Sequence, residues 1–245
     1  MKTTITGFAL GVLVFSQLVF SQVTLQIGGG VGIASPTTDY NGSTIGFFSG
    51  TSYGLGSGLN LQAKARVGLL GFNVFGIIDY VSMSGEGEGQ PGRGVVKNSH
   101  KILSLKAGPE WNIGIPLFPV DFYVNGFLSF NSISGSVTFQ GLTNVPSGKY
   151  DLESTSRVGA GIGGGVLYNI NPLITIDLGI QYNLYNLFGK QYSIENPSSH
   201  PELDVYTSLN DDKDPLFESG SEDHFVGDSR AMNAWQFTLT VMFGL

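Results

Sequence analysis

Apolar and polar residues alternate with a period of two in eight segments of this chain. In residues 59–69, leucine, alanine and valine hold the odd positions, while Asn60, Lys64 and Arg66 stand among the even ones. This period is typical of a β-strand whose two faces meet different surroundings. The other segments are residues 23–33, 72–83, 103–111, 121–131, 157–168, 174–184 and 235–245. Residues 72–83 are the least regular, because Phe75 and Ile77 interrupt the polar row.

The links between these segments alternate strictly in length. Short links cover residues 70–71, 112–120 and 169–172, and long links cover residues 34–56, 84–99, 132–154 and 189–233. Short turns at one end of a sheet and long polar loops at the other are typical of transmembrane β-barrels. A soluble sandwich or a lipocalin-like barrel is the alternative, because the period alone does not orient the two faces.

Aromatic residues of the apolar rows gather at the segment ends. Such rings concentrate at the two interfaces of a membrane. The predicted girdle comprises Phe72, Trp111, Phe122, Tyr168 and Phe243 at the short-link end, and Tyr80, Phe130 and Trp235 at the long-link end. This sorting favours a single all-β domain: an eight-stranded, antiparallel, up-and-down transmembrane barrel. Hydrocarbon offers backbone groups no hydrogen-bond partner, so the last strand must pair with the first.

Residues 1–21 have the pattern of a secretory signal peptide. Lys2 precedes an apolar stretch at residues 5–20, and cleavage is expected after Ser21, which leaves residues 22–245 as the barrel domain. A single anchoring helix is the alternative, but the stretch is short and contains Ser16 and Gln17. Export followed by barrel formation predicts location in the cell outer membrane.

Composition excludes several functions. The formal net charge of −7 argues against nucleic-acid binding. The absence of cysteine excludes disulfide scaffolds, cysteine-ligated zinc and thiol catalysis.

With these features the chain resembles the small outer-membrane β-barrels of Gram-negative bacteria, the OmpA/OmpX/OmpW-like group. The resemblance covers nearly all of residues 22–245. It is carried by the glycine-rich first strand at residues 27–32 and by the alternating last strand at residues 235–245. The last strand is similar to the C-terminal signal that the barrel-assembly machinery binds, although that signal usually ends in an aromatic residue and this chain ends in Leu245.

If the polar rows face inward, they place eight charged residues in the lumen. These are Lys64, Arg66, Asp79, Lys106, Glu110, Asp121, Arg157 and Asp177. Their charges cancel, and an eight-stranded barrel is just wide enough for side chains to fill it. Since buried charges require partners, the sequence predicts a plugged, ion-paired interior. Glycines in the same rows are expected to ease strand curvature and packing; a narrow passage is the alternative.

The last long link is strongly acidic. Its carboxylates are Glu195, Glu202, Asp204, Asp211, Asp212, Asp214, Glu218, Glu222, Asp223 and Asp228. We expect a solvated acidic surface there. The alternative is a divalent-cation site at Asp211, Asp212 and Asp214, because hard cations prefer clustered oxygen ligands, although no EF-hand spacing supports it. We therefore expect no metal and no cofactor.

Nucleophilic catalysis finds little support. It needs a serine activated by an oriented base, whereas Ser99 and His100 are neighbours on a strand and point to opposite faces. Ser221, Asp223 and His224 lie in the polar link, where solvation explains them. We expect no enzymatic activity.

The expected role is structural, or interaction at the cell surface. Residues 44–48, 136–139 and 149–152 are expected to extend the hairpins above the membrane. The alternative is a narrow, porin-like channel for small or apolar solutes. The expected partners are outer-membrane lipid and, during insertion, the barrel-assembly machinery, with no nucleic acid. We expect a monomer.

Overall fold

The computed structural model describes residues 23–69, 71–114, 119–194, 197, 200–220 and 225–244. The predicted signal peptide, residues 1–21, lies outside the described residues. The strands are β1 (Val23–Thr37), β2 (Gly58–Leu69), β3 (Phe72–Gln90), β4 (Arg93–Gly114), β5 (Val120–Gln140), β6 (Gly148–Asn171), β7 (Ile174–Phe188) and β8 (Asn233–Gly244). Two short helices, α1 (Thr44–Phe48) and α2 (Pro201–Thr207), and a 3₁₀ turn (Thr38–Tyr40) complete the elements.

The eight strands form one closed antiparallel barrel. Each strand pairs with its neighbours in sequence, and β8 returns to pair with β1. Within the apolar band every strand therefore has a hydrogen-bonded neighbour on both sides, as a sheet in hydrocarbon requires. Within the described ranges, no helix has the length and apolar character needed to cross a membrane.

The apolar rows face outward and the polar rows face the lumen. On β4 the side chain of Leu105 is 60% exposed, while its neighbours Ser104 and Lys106 are buried. Phe75 and Ile77 are buried within the lumen. They disturb the alternation of β3 because part of the interior is apolar, and the outward row of that strand is intact.

The predicted girdle residues all project outward. Their side chains are between 36% and 66% exposed. At the short-turn end, Phe72 and Trp111 are directly paired across β3 and β4. At the loop end, the ring of Trp235 packs on Tyr182 with their centroids 4.8 Å apart. Two aromatic belts therefore bound an apolar band around the barrel.

Two of the predicted long links are largely strand. The prediction of a long loop was wrong for residues 84–99, where no extension was expected. β3 and β4 continue far beyond the apolar band, and only residues 91–92 separate them. β5 and β6 likewise leave only residues 141–147 between them, which confirms the extensions at residues 136–139 and 149–152. Beyond the band the outward face meets water, so the apolar row that marks a membrane strand is missing there. Residues 44–48, in contrast, form α1, whose N-terminal Gly46 N–H donates to Ser43 Oγ.

Two connections fold inward over the mouth of the barrel. We call residues 38–57 loop one and residues 189–232 loop four. They contact each other where the Tyr206 hydroxyl of α2 donates to the Phe48 carbonyl at 2.8 Å. The loops and the barrel wall together form two buried apolar clusters. The first contains, among others, Tyr40, Tyr53, Ile102, Tyr185 and Met232. The second contains, among others, Phe47, Val137, Phe139, Leu203 and Tyr206. Burial of these large side chains contributes roughly 2 kcal/mol each to holding the loops in place.

Candidate functional site

Four of the predicted interior charges meet near the short-turn end. Lys64 Nζ lies 2.7 Å from Asp177 Oδ2 and 3.3 Å from Glu110 Oε2. Arg66 pairs with the same two carboxylates, and its Nη2 lies 3.2 Å from Asp177 Oδ2. The Tyr123 hydroxyl donates to Asp177 Oδ1 at 2.8 Å. β2 supplies both cations, while β4 and β7 supply the carboxylates, so the cluster ties opposite walls of the barrel together.

A second cluster lies closer to the loop end. Lys106 Nζ lies 2.8 Å from Asp79 Oδ2. The same ammonium donates to Gln236 Oε1 at 2.7 Å and to Gln181 Oε1 at 3.1 Å. Gln236 Nε2 in turn donates to Asp79 Oδ2 at 2.8 Å. All three donors of the buried ammonium are therefore engaged, which is the condition under which a buried charge is tolerated.

Aromatic side chains lie against these charges. Phe75, Ile77 and Phe127 form a buried apolar cluster. Lys106 Nζ lies 5.3 Å from the centroid of the Phe127 ring, and Lys64 Nζ lies 4.7 Å from that of Tyr123. At these distances the ring faces attract the ammonium groups. The lumen is therefore occupied by rings as well as by ion pairs.

The space above the inward glycines of β6 is filled by side chains of the neighbouring strand β5, which are paired with these glycines in the sheet. A Cβ built on Gly161 would lie 2.3 Å from Phe127 Cζ, and one on Gly165 would lie 2.6 Å from the Tyr123 hydroxyl. The side chains of β5 thus fill the space that these glycines leave. This contact favours the packing interpretation over the passage interpretation.

Two of the predicted network residues lie elsewhere. Arg157 lies at the mouth, and its Nη2 lies 2.7 Å from Asp211 Oδ1 of loop four. Asp121 is half-buried near the short-turn end, where Asn169 Nδ2 donates to its Oδ2 at 3.1 Å. No ion pair forms at Asp121 within the described part of the chain, so its assignment to the charge network was wrong. The remaining lumen charges still balance, at three cations and three carboxylates.

The acidic connection is only partly a solvated surface. Asp204, Asp211 and Asp214 are buried, so the expectation was wrong for these three. Asp211 also accepts hydrogen bonds from Asn186 Nδ2 at 2.9 Å and from the Gln191 N–H at 3.0 Å. Arg157 and Asn186 of the barrel wall, which the loop sequence does not contain, explain the burial of Asp211. Glu195, Ser221, Glu222, Asp223 and His224 lie outside the described residues.

The candidate cation site at Asp211, Asp212 and Asp214 does not form. Among the residues that the structure describes, no group of three or more histidine, aspartate or glutamate side chains is arranged to hold a metal ion. Both carboxylate oxygens of Asp211 already accept hydrogen bonds from Arg157. Asp214 Oδ1 accepts the Leu216 N–H at 2.8 Å. These oxygens organise the loop itself.

A buried cluster of rings lies under the loops. His100 Nδ1 lies 3.2 Å from the Tyr40 hydroxyl, and its ring centroid lies 5.3 Å from that of Tyr53. The outward neighbours of His100 are a serine and a lysine, so this level of β4 is beyond the apolar band. Burial, together with the positive charge of Arg230, lowers the pKa of His100 to about 3. Burial raises the pKa of the Tyr40 and Tyr53 hydroxyls, so all three groups are neutral at ordinary pH.

Sequence reasoning did not single out several residues of these clusters. Gln181, Gln236 and Tyr123 stand on the inward rows, and that position was their only signal because they carry no charge. Tyr40 and Tyr185 lie in or next to the long connections, where no alternation identifies a buried face.

Comparison with known proteins identifies the fold. No protein-family model matches the sequence, and no curated protein matches it. The structure is similar to that of a major outer membrane protein from Thermus thermophilus, with a TM-score of 0.50, 14% identity, and 91% of this chain and 99% of that chain covered. It is also similar to Neisserial surface protein A, with a TM-score of 0.46, 14% identity and coverage of 91% and 96%. OprG from Pseudomonas aeruginosa gives a TM-score of 0.46 at 11% identity, with coverage of 91% and 95%.

At such identities the similarity concerns the fold alone. A closed eight-stranded barrel with an apolar outer band and short turns at one end is the architecture of small outer-membrane barrels. The chain has the fold of a small outer-membrane β-barrel protein. In barrels of this architecture the short turns lie on the periplasmic side and the loops lie outside the cell.

Proposed function

We propose that this barrel is closed to solutes and serves as a membrane anchor for an ordered extracellular surface. The observation that carries the proposal is the double ion-paired cluster, in which Lys64, Arg66 and Lys106 are matched by Asp79, Glu110 and Asp177. A selective channel usually carries a ring of charges of one sign. A balanced interior instead supports a structural plug.

The packing around the charges supports the same conclusion. Phe127 and Tyr123 fill the lumen beside the glycines of β6. At the mouth, a cavity of about 10 Å³ lies between loops one and four and the barrel wall, lined by Tyr53, His100 and Arg230 among others. That volume holds about one water molecule. A solute would have to displace the loops and separate buried ion pairs.

The extracellular side supports a role in interaction. β3, β4, β5 and β6 extend well beyond the apolar band, and loops one and four are packed on their inner faces. This gives the protein an ordered surface outside the membrane. We propose a non-catalytic role for it: the serine beside His100 lies on the opposite face of β4, and His100 itself is buried beneath Tyr40 and Tyr53.

Planar-bilayer recording tests the closed interior. We expect the purified protein to give no steady conductance at moderate voltage and neutral pH. The matched comparison is a variant that combines Tyr123→Ala and Phe127→Ala, which removes the two rings beside the glycines. Conductance that appears only in this variant would support the plug. Steady channels in the unaltered protein would overturn the proposal and favour a narrow passage.

A further inference from the structure

A cavity of about 720 Å³ opens on the extracellular surface between loops one and four. Loop one contributes Asp39 and residues 49–51 to its lining, and loop four contributes the remainder, including two aromatic rings. This volume falls in the range of small-molecule sites, which are concave and combine apolar walls with a few polar groups. The lumen network and the aromatic cluster beneath the loops leave this cavity unexplained.

The cations of loop four converge on this cavity. The loop contains three basic residues, Lys190, Lys213 and Arg230, against many carboxylates. Lys213 and Arg230 line the cavity. Lys190 Nζ donates at 3.1 Å to Ser229 Oγ, which lines it as well. A loop with a strong excess of negative charge thus collects its positive charge in one place.

Arg230 is the most informative of these cations. Its side chain is only 5% exposed, and its guanidinium lies 4.2 Å from the centroid of the Tyr53 ring. The terminal nitrogens donate to main-chain carbonyls, including that of Ser52 at 3.4 Å. Within the described part of the chain, its Nε has no hydrogen-bond partner.

Arg230 also lacks a counter-charge. Among the described residues, each other buried arginine or lysine of the barrel lies within 4.0 Å of a carboxylate, whereas Arg230 has no such ion pair. A buried cation with an unsatisfied donor is costly. Because Arg230 and Lys213 both line the cavity, an anion bound there would supply the missing counter-charge.

Two carboxylates in the same lining limit which anion fits. Asp39 and Asp228 both line the cavity. They repel a second negative charge, but they accept hydrogen bonds from hydroxyl groups. Ser49, Thr51 and Ser229 provide further hydroxyl contacts.

The aromatic lining adds an apolar face. Phe217 and Phe225 both line the cavity. Phe225 is held in place by stacking on Tyr206, with ring centroids 5.1 Å apart. A ligand that carries one carboxylate, several hydroxyls and a C–H face matches all of these groups.

We propose that the cavity binds a small polyhydroxylated monocarboxylate of the acidic monosaccharide class. The carboxylate lies toward Arg230 and Lys213, and the hydroxyls lie toward Asp39 and Asp228. The inference rests on the ordered extracellular surface of the proposed function, but it does not require a closed lumen. A barrel that conducts ions would overturn the closed interior and leave this site standing.

Titration calorimetry on the full chain in lipid nanodiscs tests the site. The probes are sodium glucuronate, glucose and glucose 6-phosphate. We expect glucuronate to bind at least about tenfold more tightly than either comparison sugar. Equal affinity for glucose would overturn the requirement for the anion, and no heat of binding at about 10 mM glucuronate would overturn the site itself.

Variants assign the contacts. Lys213 is exposed, so Lys213→Gln preserves the fold, and it should weaken glucuronate binding by about three- to tenfold. Lys149→Gln removes an exposed lysine of β6 that does not line the cavity, and it should leave the affinity unchanged. Asp228→Asn should admit glucose 6-phosphate, because one repulsive charge is gone. Equal affinities of the two lysine variants, or continued rejection of the phosphate by Asp228→Asn, would overturn the proposed contacts.

Discussion

At the scale of single residues, the interior depends on every charge having more than one partner. Asp79 is contacted by Lys106, by Gln236 and by Asn60. An ion pair removed from water gains little unless its remaining donors and acceptors are also satisfied. The uncharged amides are therefore as necessary as the charges that they surround.

Loss of one partner should be costly. Asp79→Asn leaves the ammonium of Lys106 buried without its counter-charge, and we expect the free energy of unfolding to fall by about 3–5 kcal/mol. Urea unfolding in lipid vesicles measures it. The matched control is Glu86→Gln, which breaks the exposed pair between Lys97 and Glu86, whose atoms lie 3.1 Å apart. That loss should stay below about 1 kcal/mol. Similar losses in both variants would contradict the account.

His100 should make the mouth sensitive to acid. Its pKa is lowered to about 3 in the fold, while the unfolded chain takes up this proton near pH 6.5. The stability that depends on neutral His100 is therefore fully present above about pH 6.5, and it is lost as the pH drops toward 3. Between pH 7.5 and pH 4.5 this histidine should lower the free energy of unfolding by roughly 2–3 kcal/mol. His100→Gln should show a correspondingly smaller decrease, measured by urea unfolding at both values, and an identical decrease would contradict the assignment.

At the scale of elements, the long strands and the folded loops depend on each other. β3, β4, β5 and β6 are 19 to 24 residues long, about twice the ~10 residues that a membrane strand needs. Their upper inner faces would be exposed to water without loops one and four. The Arg157–Asp211 pair ties loop four to the wall of β6.

Breaking that tie should release loop four without unfolding the barrel. Arg157→Gln leaves Asp211 buried without its cation, and we expect proteolytic cleavage within residues 189–232 to accelerate by at least about tenfold. Arg93→Gln is the control, because Arg93 is exposed and its hydrogen bond to Thr143, at 2.9 Å, lies at a hairpin tip. Limited proteolysis followed by mass spectrometry locates the cuts. Equal rates in the two variants would contradict the role of the pair.

At the scale of the whole molecule, closure of the sheet separates two environments. Neighbouring side chains on one strand face lipid and a packed polar lumen, as Leu105 and Ser104 do on β4. The chain contains no cysteine, so single cysteines report on each environment without background.

Labelling from the lipid phase should follow the alternation. In proteoliposomes treated with a lipid-soluble maleimide, Leu105→Cys should react readily and Ser104→Cys should remain largely unlabelled. Leu61→Cys and Ile176→Cys should behave like Leu105→Cys, because they also belong to the outward rows. Mass spectrometry quantifies the labelled fraction. Reaction at Ser104→Cys as fast as at Leu105→Cys would mean that the faces are assigned wrongly.

The positions of the interior charges could be predicted, but their pairing could not. Alternation assigned Lys64, Glu110 and Asp177 to the inward face of their strands, but it did not specify their depth along the barrel axis. Depth depends on the strand register, which brings Lys64 level with residues more than 100 positions away, such as Asp177. Asp121 lies on the predicted strand but at its end, where the described residues give it a hydrogen bond from Asn169 and no ion pair.

The periodic spacing of residues determined the barrel, its lipid-facing and lumen-facing rows and its two aromatic belts. Successive side chains of a membrane strand face lipid and lumen in turn, so apolar and polar residues alternate in its sequence. Loop four has no such period. Long-range packing of this irregular segment decides that Asp211 pairs with Arg157. It also decides that Lys213 and Arg230 line one cavity with Asp39. Only the tertiary structure shows such packing.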